Sequence, residues 1–216
     1  GFPELLREGC SGGGGRFDAG MLYYCPQIWC SDNTDAIERL RIQYGTSFGY
    51  PMSSVSAHVS VCPNHQNHRV TPFKTRGICA MQGTFGYELE LSKMTDEEKK
   101  MAGEQIAFFK EHGRLFQFGD YYRLTSPFEN RDYTVWEYAA QDGSEACMSV
   151  VYTDMYANAA SEIVKWKGLD PKKVYQMQLD GEDAGNFSGA ALMHAGILLP
   201  LPEQNYDAFQ IYLKAE

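Results

Sequence analysis

The chain is 216 residues long, enough for one large domain or two modest ones, and carries 28 Asp and Glu against 19 Lys and Arg. The net charge of −9 leaves no basic stripe to neutralise phosphates, which argues against a nucleic-acid partner. With 44% hydrophobic and 22% charged residues the composition is that of a globular protein, and no apolar run reaches the roughly 18 residues of a membrane-spanning helix.

The predicted elements follow in chain order. An apolar strand is expected over 2–6, leading into the glycine-rich loop "CSGGGGRFD" from Cys10 to Asp18. A second apolar run, 21–30, ends in the polar turn Ser31–Asp35, and a helix is expected from there to Gly45, with Ile37, Leu40 and Tyr44 on one face. A third strand is read over 49–60, followed by a long loop over 61–72, and a fourth strand with its loop over 77–92. Residues 95–113 carry a clear helix signature: Thr95 at the cap, Glu98 completing a capping box and Gly113 as the stop.

From about Leu115 the rhythm changes to short alternating runs at 115–126, 133–143, 145–154, 173–181 and 197–213. Residues 1–113 therefore read as the βα alternation of a parallel sheet or barrel, and 114–216 as an antiparallel all-β domain. Four strands are visible where a (β/α)8 barrel needs eight, so the expectation is half a barrel whose other half precedes Gly1.

Cysteines 10, 25, 30, 62, 79 and 147 show no framework spacing and read as reduced, buried thiols of a cytoplasmic protein. No signal peptide is read in the first six residues. Cys62, His65 and His68 lack the second ligand pair of a zinc site, so no metal is expected.

In a βα barrel the chemistry sits on loops at the carboxyl ends of the strands. Cys10–Asp18, Ser31–Asp35, His58–His68 and Gln82–Tyr87 are read as such positions, facing one pocket. Asp32 follows a strand containing Trp29 and precedes a helix, which places it to donate a proton. Asp32 and Asp35 are equally good helix caps, and one can cap while the other reacts. Arg16 beside the glycines suits a hydroxyl-rich or anionic ligand, although the run is neither a dinucleotide fingerprint nor a phosphate loop. His58 and His65 are readable as substrate ligands or as hydrogen-bonders behind them.

Assembled, these stretches resemble the C-terminal part of family 36 glycoside hydrolases, the bacterial α-galactosidases. "CSGGGGRFD", "YCPQIWCSDNTDAIERLRIQYGTS", "SAHVSVCPNHQ", "RGICAMQGTFGYELELS" and "GDYYRLTSPFENRDYTVWEY" carry the likeness across nearly the whole chain. Cys10, Gly13, Gly15 and Arg16 meet the family's C-x-x-G-x-G-R pattern, and Ser31, Asp32 and Asp35 its S-D-x-x-D pattern.

The resemblance implies the C-terminal half of a (β/α)8 TIM barrel, strands five to eight, over 1–113, and an antiparallel β-sandwich over 114–216. It implies a retaining hydrolase with Asp32 as acid/base after the sixth strand. Cys10, Gly13, Gly15, Arg16 and Trp29 would bind the galactose, with no cofactor. The substrate would be an α-galactoside oligosaccharide such as melibiose or raffinose, and the enzyme a cytoplasmic homo-oligomer, a tetramer. The family's nucleophile lies in a Lys-Trp-Asp context after the fourth strand, and no such motif occurs here. The expectation is therefore a fragment inactive by itself. The alternatives are a non-catalytic carbohydrate-binding or assembly module, and a transglycosylating relative.

Overall fold

The computed structural model describes residue 2 and residues 4–216; Gly1 and Pro3, the latter inside the strand expected over 2–6, lie outside the described residues. The chain divides into two compact units, Gly1–Lys110 and Glu111–Glu216.

In the first unit β1 (Glu8–Gly9), β2 (Gln27–Trp29), β3 (Val55–Ser60) and β4 (Thr84–Glu88) form a parallel sheet in sequential order, so every connection is a crossover. The first strand lies later than the sequence suggests, at Glu8–Gly9 rather than within 2–6. The first crossover holds a single distorted turn, α1 (Ser11–Gly14), and a short helix, α2 (Ala19–Tyr24). That helix occupies the front half of the apolar run read as a strand. Asp18 caps it by accepting from the Met21 N–H at 2.9 Å, and Pro26 follows its end.

The second crossover is α3 (Ala36–Thr46), whose Ile37 and Leu40 are buried. The third is α4 (Phe73–Ala80), a helix the sequence reading misses. Every residue of α4 except Lys74 is buried, so no apolar stripe marks it, and its start at Pro72 carries no polar cap. Gln43 of α3 donates to the Cys79 carbonyl at 3.0 Å and to Gln82 Oε1 at 2.6 Å, a buried amide pair joining the end of α4 to α3.

β3 is buried along nearly its whole length, as a parallel strand covered on both faces should be. Ala57 and Val59 pack with Phe73, Ala80, Met94 and Ala102 in one core cluster. Then α5 (Asp96–Glu111) begins with the expected capping box: the Glu98 N–H donates to Thr95 Oγ1, and the Thr95 N–H to Glu98 Oε2, both at 3.1 Å. Gly113 does not end it; the helix stops at Glu111, and Gly113 opens α6 (Gly113–Phe118).

The second unit is built on a six-stranded antiparallel sheet. Its strands are β5 (Asp120–Arg123), β6 (Tyr133–Ala139), β7 (Glu145–Tyr152), β9 (Val174–Leu179), β10 (Glu182–Ser188) and β12 (Ala208–Ala215), in the order β10-β9-β12-β7-β6-β5. A two-stranded ribbon pairs β8 (Ile163–Val164) with β11 (Ile197–Leu198), and α7 (Gly189–His194) follows β10. Val135, Met148, Val150, Tyr175 and Leu213 of the sheet pack with Trp166 and Leu192 in a single core. Of the expected strand 115–126 only Asp120–Arg123 pairs, because its first part is α6.

One acid is sealed in this core. Glu137 on β6 is 0% exposed, and its two oxygens share the Lys167 backbone N–H at 3.0 and 3.3 Å. Burial pushes its carboxyl up to about 9, opposed by that hydrogen bond and by the Lys167 charge. Contrary to the expectation of buried thiols, Cys10 is exposed and Cys30 and Cys62 are half-buried, each on a loop that follows a parallel strand.

Candidate active site at the carboxyl ends of the parallel strands

The chain leaves β2 at Trp29 and reaches α3 through Cys30, Ser31, Asp32, Asn33, Thr34 and Asp35. Backbone donors in this turn are satisfied one by one. The Asn33 N–H donates to Ser31 Oγ at 3.1 Å, and the Asp35 N–H to Asn33 Oδ1 at 3.0 Å. The Thr34 N–H donates to Gln66 Oε1 at 3.1 Å. The amides of Asn33, Thr34 and Asp35 are thus occupied by groups other than the side chain of Asp32.

The two aspartates divide the roles that the sequence leaves open. Asp35 is the helix cap, accepting from the Glu38 N–H at 2.8 Å, and is only 2% exposed. It also pairs with Arg69, which reaches on to Glu38 at 3.6 Å. Asp32 is exposed and caps nothing. The Trp29 indole N–H donates to its Oδ1 at 3.1 Å, fixing one oxygen against the ring that precedes it.

Trp29 is itself held in place. The His58 ring stacks on it at 4.7 Å between centroids, and the Arg39 guanidinium lies 4.4 Å from its centre. Arg39, buried on α3, donates to the Ser56 carbonyl at 2.6 Å, the Ser31 carbonyl at 3.2 Å and the Cys30 sulfur at 3.1 Å. Burial pushes the Cys30 thiol up, with Arg39 pulling the other way, so Cys30 is a neutral acceptor here rather than a nucleophile. His58 faces Gly86 across β3 and β4, where a Cβ would come within 2.9 Å of its ring. Its Nδ1 is buried with no hydrogen-bond partner among the described residues; Glu88 Oε2, at 3.6 Å, is too far for one.

The glycine run meets this turn from β1. Ser11, Gly12, Gly13 and Gly14 all have positive φ, between 60° and 83°. A Cβ on Gly13 would lie 2.9 Å from the Asp32 nitrogen, 3.1 Å from its Cγ and 3.2 Å from its Oδ2. A Cβ on Gly14 would lie 2.6 Å from the Cys30 carbonyl oxygen. The glycines are thus a wedge of bare backbone against the carboxyl group of Asp32 and the strand end before it.

Of the site residues expected from sequence, Gly13, Trp29 and Asp32 come into direct contact. Cys10 is exposed at the start of the same loop, its carbonyl accepting from the Gly14 N–H at 3.0 Å. Gly15 and Arg16 continue that loop and are exposed. The region read as a fourth rim loop, 82–87, instead leads into β4 and lies mostly within it.

Sequence reasoning places Asn64 and Gln66 in a stretch that carries the family likeness and in a rim loop after β3, but gives neither a role, since an amide is not a catalytic residue type. The Gln66 amide donates to the Asp32 carbonyl at 3.0 Å as well as accepting from Thr34. Asn64 is buried, donates to Thr34 Oγ1 at 3.1 Å, and accepts from the Gln66 N–H at 2.9 Å. Among the described residues no three His, Cys, Asp or Glu side chains converge on a metal position, and no helix is long and apolar enough to cross a membrane.

An exposed carboxyl group held by an indole and walled by glycine backbone, at the carboxyl end of a parallel strand, suits acid/base work on a hydroxyl-rich ligand. Known proteins share this arrangement's scaffold. The bifunctional alpha-galactosidase/sucrose kinase AgaSK of Mediterraneibacter gnavus is 54% identical over 97% of this chain and 22% of its own length. Alpha-galactosidase AgaA of Geobacillus stearothermophilus is 50% identical over 99% of this chain and 29% of its own. The structure of a variant of that AgaA in complex with raffinose superposes with a TM-score of 0.94 at 48% identity, covering 100% of this chain and 29% of that one. This chain therefore spans less than a third of either relative. The Melibiase family model matches residues 1–119 and the glycosyl hydrolase family 36 C-terminal domain matches residues 133–213, so the chain belongs to the family 36 glycoside hydrolases.

Proposed function

We propose that this chain supplies the acid/base side of the active site of a retaining α-galactosidase. Its substrates are oligosaccharides with a terminal α-linked galactose, such as melibiose and raffinose. The observation that carries the reading is the division of labour after β2. Asp35 is buried as cap and ion-pair partner, whereas Asp32 is exposed, oriented by Trp29 and backed by Gly13. The relatives' names and the raffinose complex support the substrate class.

In the first step Asp32 gives its proton to the glycosidic oxygen as that oxygen's bond to the anomeric carbon breaks. A carboxylate from outside these residues forms the galactosyl ester. In the second step ionised Asp32 takes a proton from water, the water oxygen bonds to the anomeric carbon, and the ester opens to release galactose. The two carboxyl groups must then lie about 5–5.5 Å apart. Cys10, Gly13, Gly15 and Arg16 hold the edge of the sugar and Trp29 walls the pocket. No cofactor takes part.

In this reading 1–113 are strands five to eight of a (β/α)8 barrel with their helices, for which the sequential parallel order of β1 to β4 is the supporting observation. Residues 114–216 are its β-sandwich domain. The working enzyme is a longer polypeptide, cytoplasmic and a homotetramer, which the family resemblance suggests.

The test is nitrophenol release from an aryl α-galactoside by the 216-residue chain and by the longer polypeptide. Turnover is expected only in the second. There, Asp32→Ala should lose about 10²-fold or more on raffinose. Normal raffinose turnover by Asp32→Ala refutes the assignment.

A further inference from the structure

The turn that bears Asp32 is gripped from a neighbouring loop by one primary amide. The Gln66 side chain donates to the Asp32 carbonyl at 3.0 Å and accepts from the Thr34 N–H at 3.1 Å, so it bridges the residues on either side of Asn33 as a second strand would. Its own loop is anchored in turn. Buried Asn64 accepts from the Gln66 N–H at 2.9 Å and the Asn67 N–H at 3.3 Å, while its amide donates to Thr34 Oγ1 at 3.1 Å. The Asn64 N–H closes the loop onto the Arg69 carbonyl at 2.9 Å, and Arg69 pairs with the capping Asp35. Gln66, Asn64 and Arg69 of the 61–72 loop thus all act directly on the Asp32–Asp35 segment.

We infer that Gln66 is a positioning residue for the acid/base, acting through the backbone of Asp32; the inference rests on the reading of Asp32 just given. Among the described residues the Asp32 carboxyl has one side-chain donor, Trp29. Its place is set otherwise by its own backbone, which Gly13 presses from one side and Gln66 holds through the carbonyl. Without Gln66 the Asp32 carbonyl and the Thr34 N–H lose their partner, and the turn is free to shift. Proton delivery to the leaving oxygen is the step that depends on the position of this carboxyl, and it is unforgiving of displacement.

The test compares two substrates in the longer polypeptide. Raffinose has a leaving group that needs a proton; a dinitrophenyl α-galactoside has one that leaves without. Gln66→Ala should lose about tenfold to a hundredfold in kcat/KM on raffinose, with little change in kcat/KM on the dinitrophenyl substrate; kcat/KM reports the leaving-group step, whereas the later attack of water, which also uses Asp32, is common to both substrates. Gln66→Glu keeps an oxygen for Thr34 but no N–H for Asp32, and should fall with Gln66→Ala. Gln66 is exposed, so both variants should fold, and melting temperatures check this. Equal losses on both substrates, no loss on either, or wild-type raffinose turnover by Gln66→Glu overturns the inference. Asp32→Ala on the same pair separates the two claims. If Asp32→Ala discriminates between the leaving groups and Gln66→Ala does not, only Gln66 is misassigned; if Asp32→Ala does not discriminate, the reading of Asp32 itself fails.

Discussion

Replacing Gly13 by alanine adds one methyl group at the point where the glycine loop touches Asp32, the proposed acid/base. Two effects follow, and they can be separated. Gly13 has φ +72°, where an alanine costs about 1–2 kcal/mol of backbone strain. The new Cβ would also stand 2.9 Å from the Asp32 nitrogen and 3.1 Å from its Cγ, whereas ordinary contact begins at 3.4 Å. The Asp32 turn must therefore give way by about half an ångström, and a displacement of that order at a reacting carboxyl costs roughly 10- to 100-fold in rate. Gly181, in the turn between β9 and β10, is the control. Its φ is +87° and a Cβ there meets nothing within 4 Å, so Gly181→Ala carries the strain without the push. Both variants should lower the melting temperature by a similar few degrees. Only Gly13→Ala should lower kcat/KM on raffinose in the longer polypeptide. If Gly13→Ala keeps the turnover of Gly181→Ala, the glycine wedge does not position Asp32 and the reasoning fails.

Other outcomes bear on the supports around the site. Asp35→Ala removes both the cap of α3 and the partner of Arg69, and should destabilise the chain by about 2–4 kcal/mol in urea unfolding, whereas Asp35→Asn keeps the cap and should lose less; equal losses would mean that the cap contributes nothing. Glu137 gives a pH signature. Its carboxyl sits at about 9 in the folded chain against an ordinary 4.5, so the folded state keeps a proton that the unfolded state releases. That stability is fully present below the unfolded value and is lost as pH rises toward about 9. Glu137→Gln cannot ionise, so its stability should fall less steeply than the parent's between about pH 5 and pH 9, and parallel curves would show that Glu137 does not titrate as argued.

What the sequence by itself determines here is local. The capping box of Thr95 and Glu98, a strand read over 49–60 that forms over its second half, Val55–Ser60, and a cap among the Ser31–Asp35 residues are signalled by partners three or four positions apart, or by alternation within one segment. The likeness carried by the cysteine-glycine loop and the Ser-Asp turn is likewise written in contiguous residues. The sequence also marks Trp29 and Asp32 as neighbours, three residues apart on a strand end, and they do meet.

Other features depend on groups that only the fold brings together. Which aspartate caps is decided by Arg69, 34 residues away, and by the burial of Asp35. The reason for four consecutive glycines becomes visible when Gly13 is seen against Asp32 and Gly14 against Cys30. Gln66 and Asn64 are ordinary loop residues until their amides are found on the turn after β2. Helix α4 is hidden for a related reason: enclosure on nearly every side erases the polar face that would give it a period. Hydrophobic periodicity and caps report on neighbours along the chain, while the position of the Asp32 carboxyl is set by backbone and amides that the fold delivers from other crossovers.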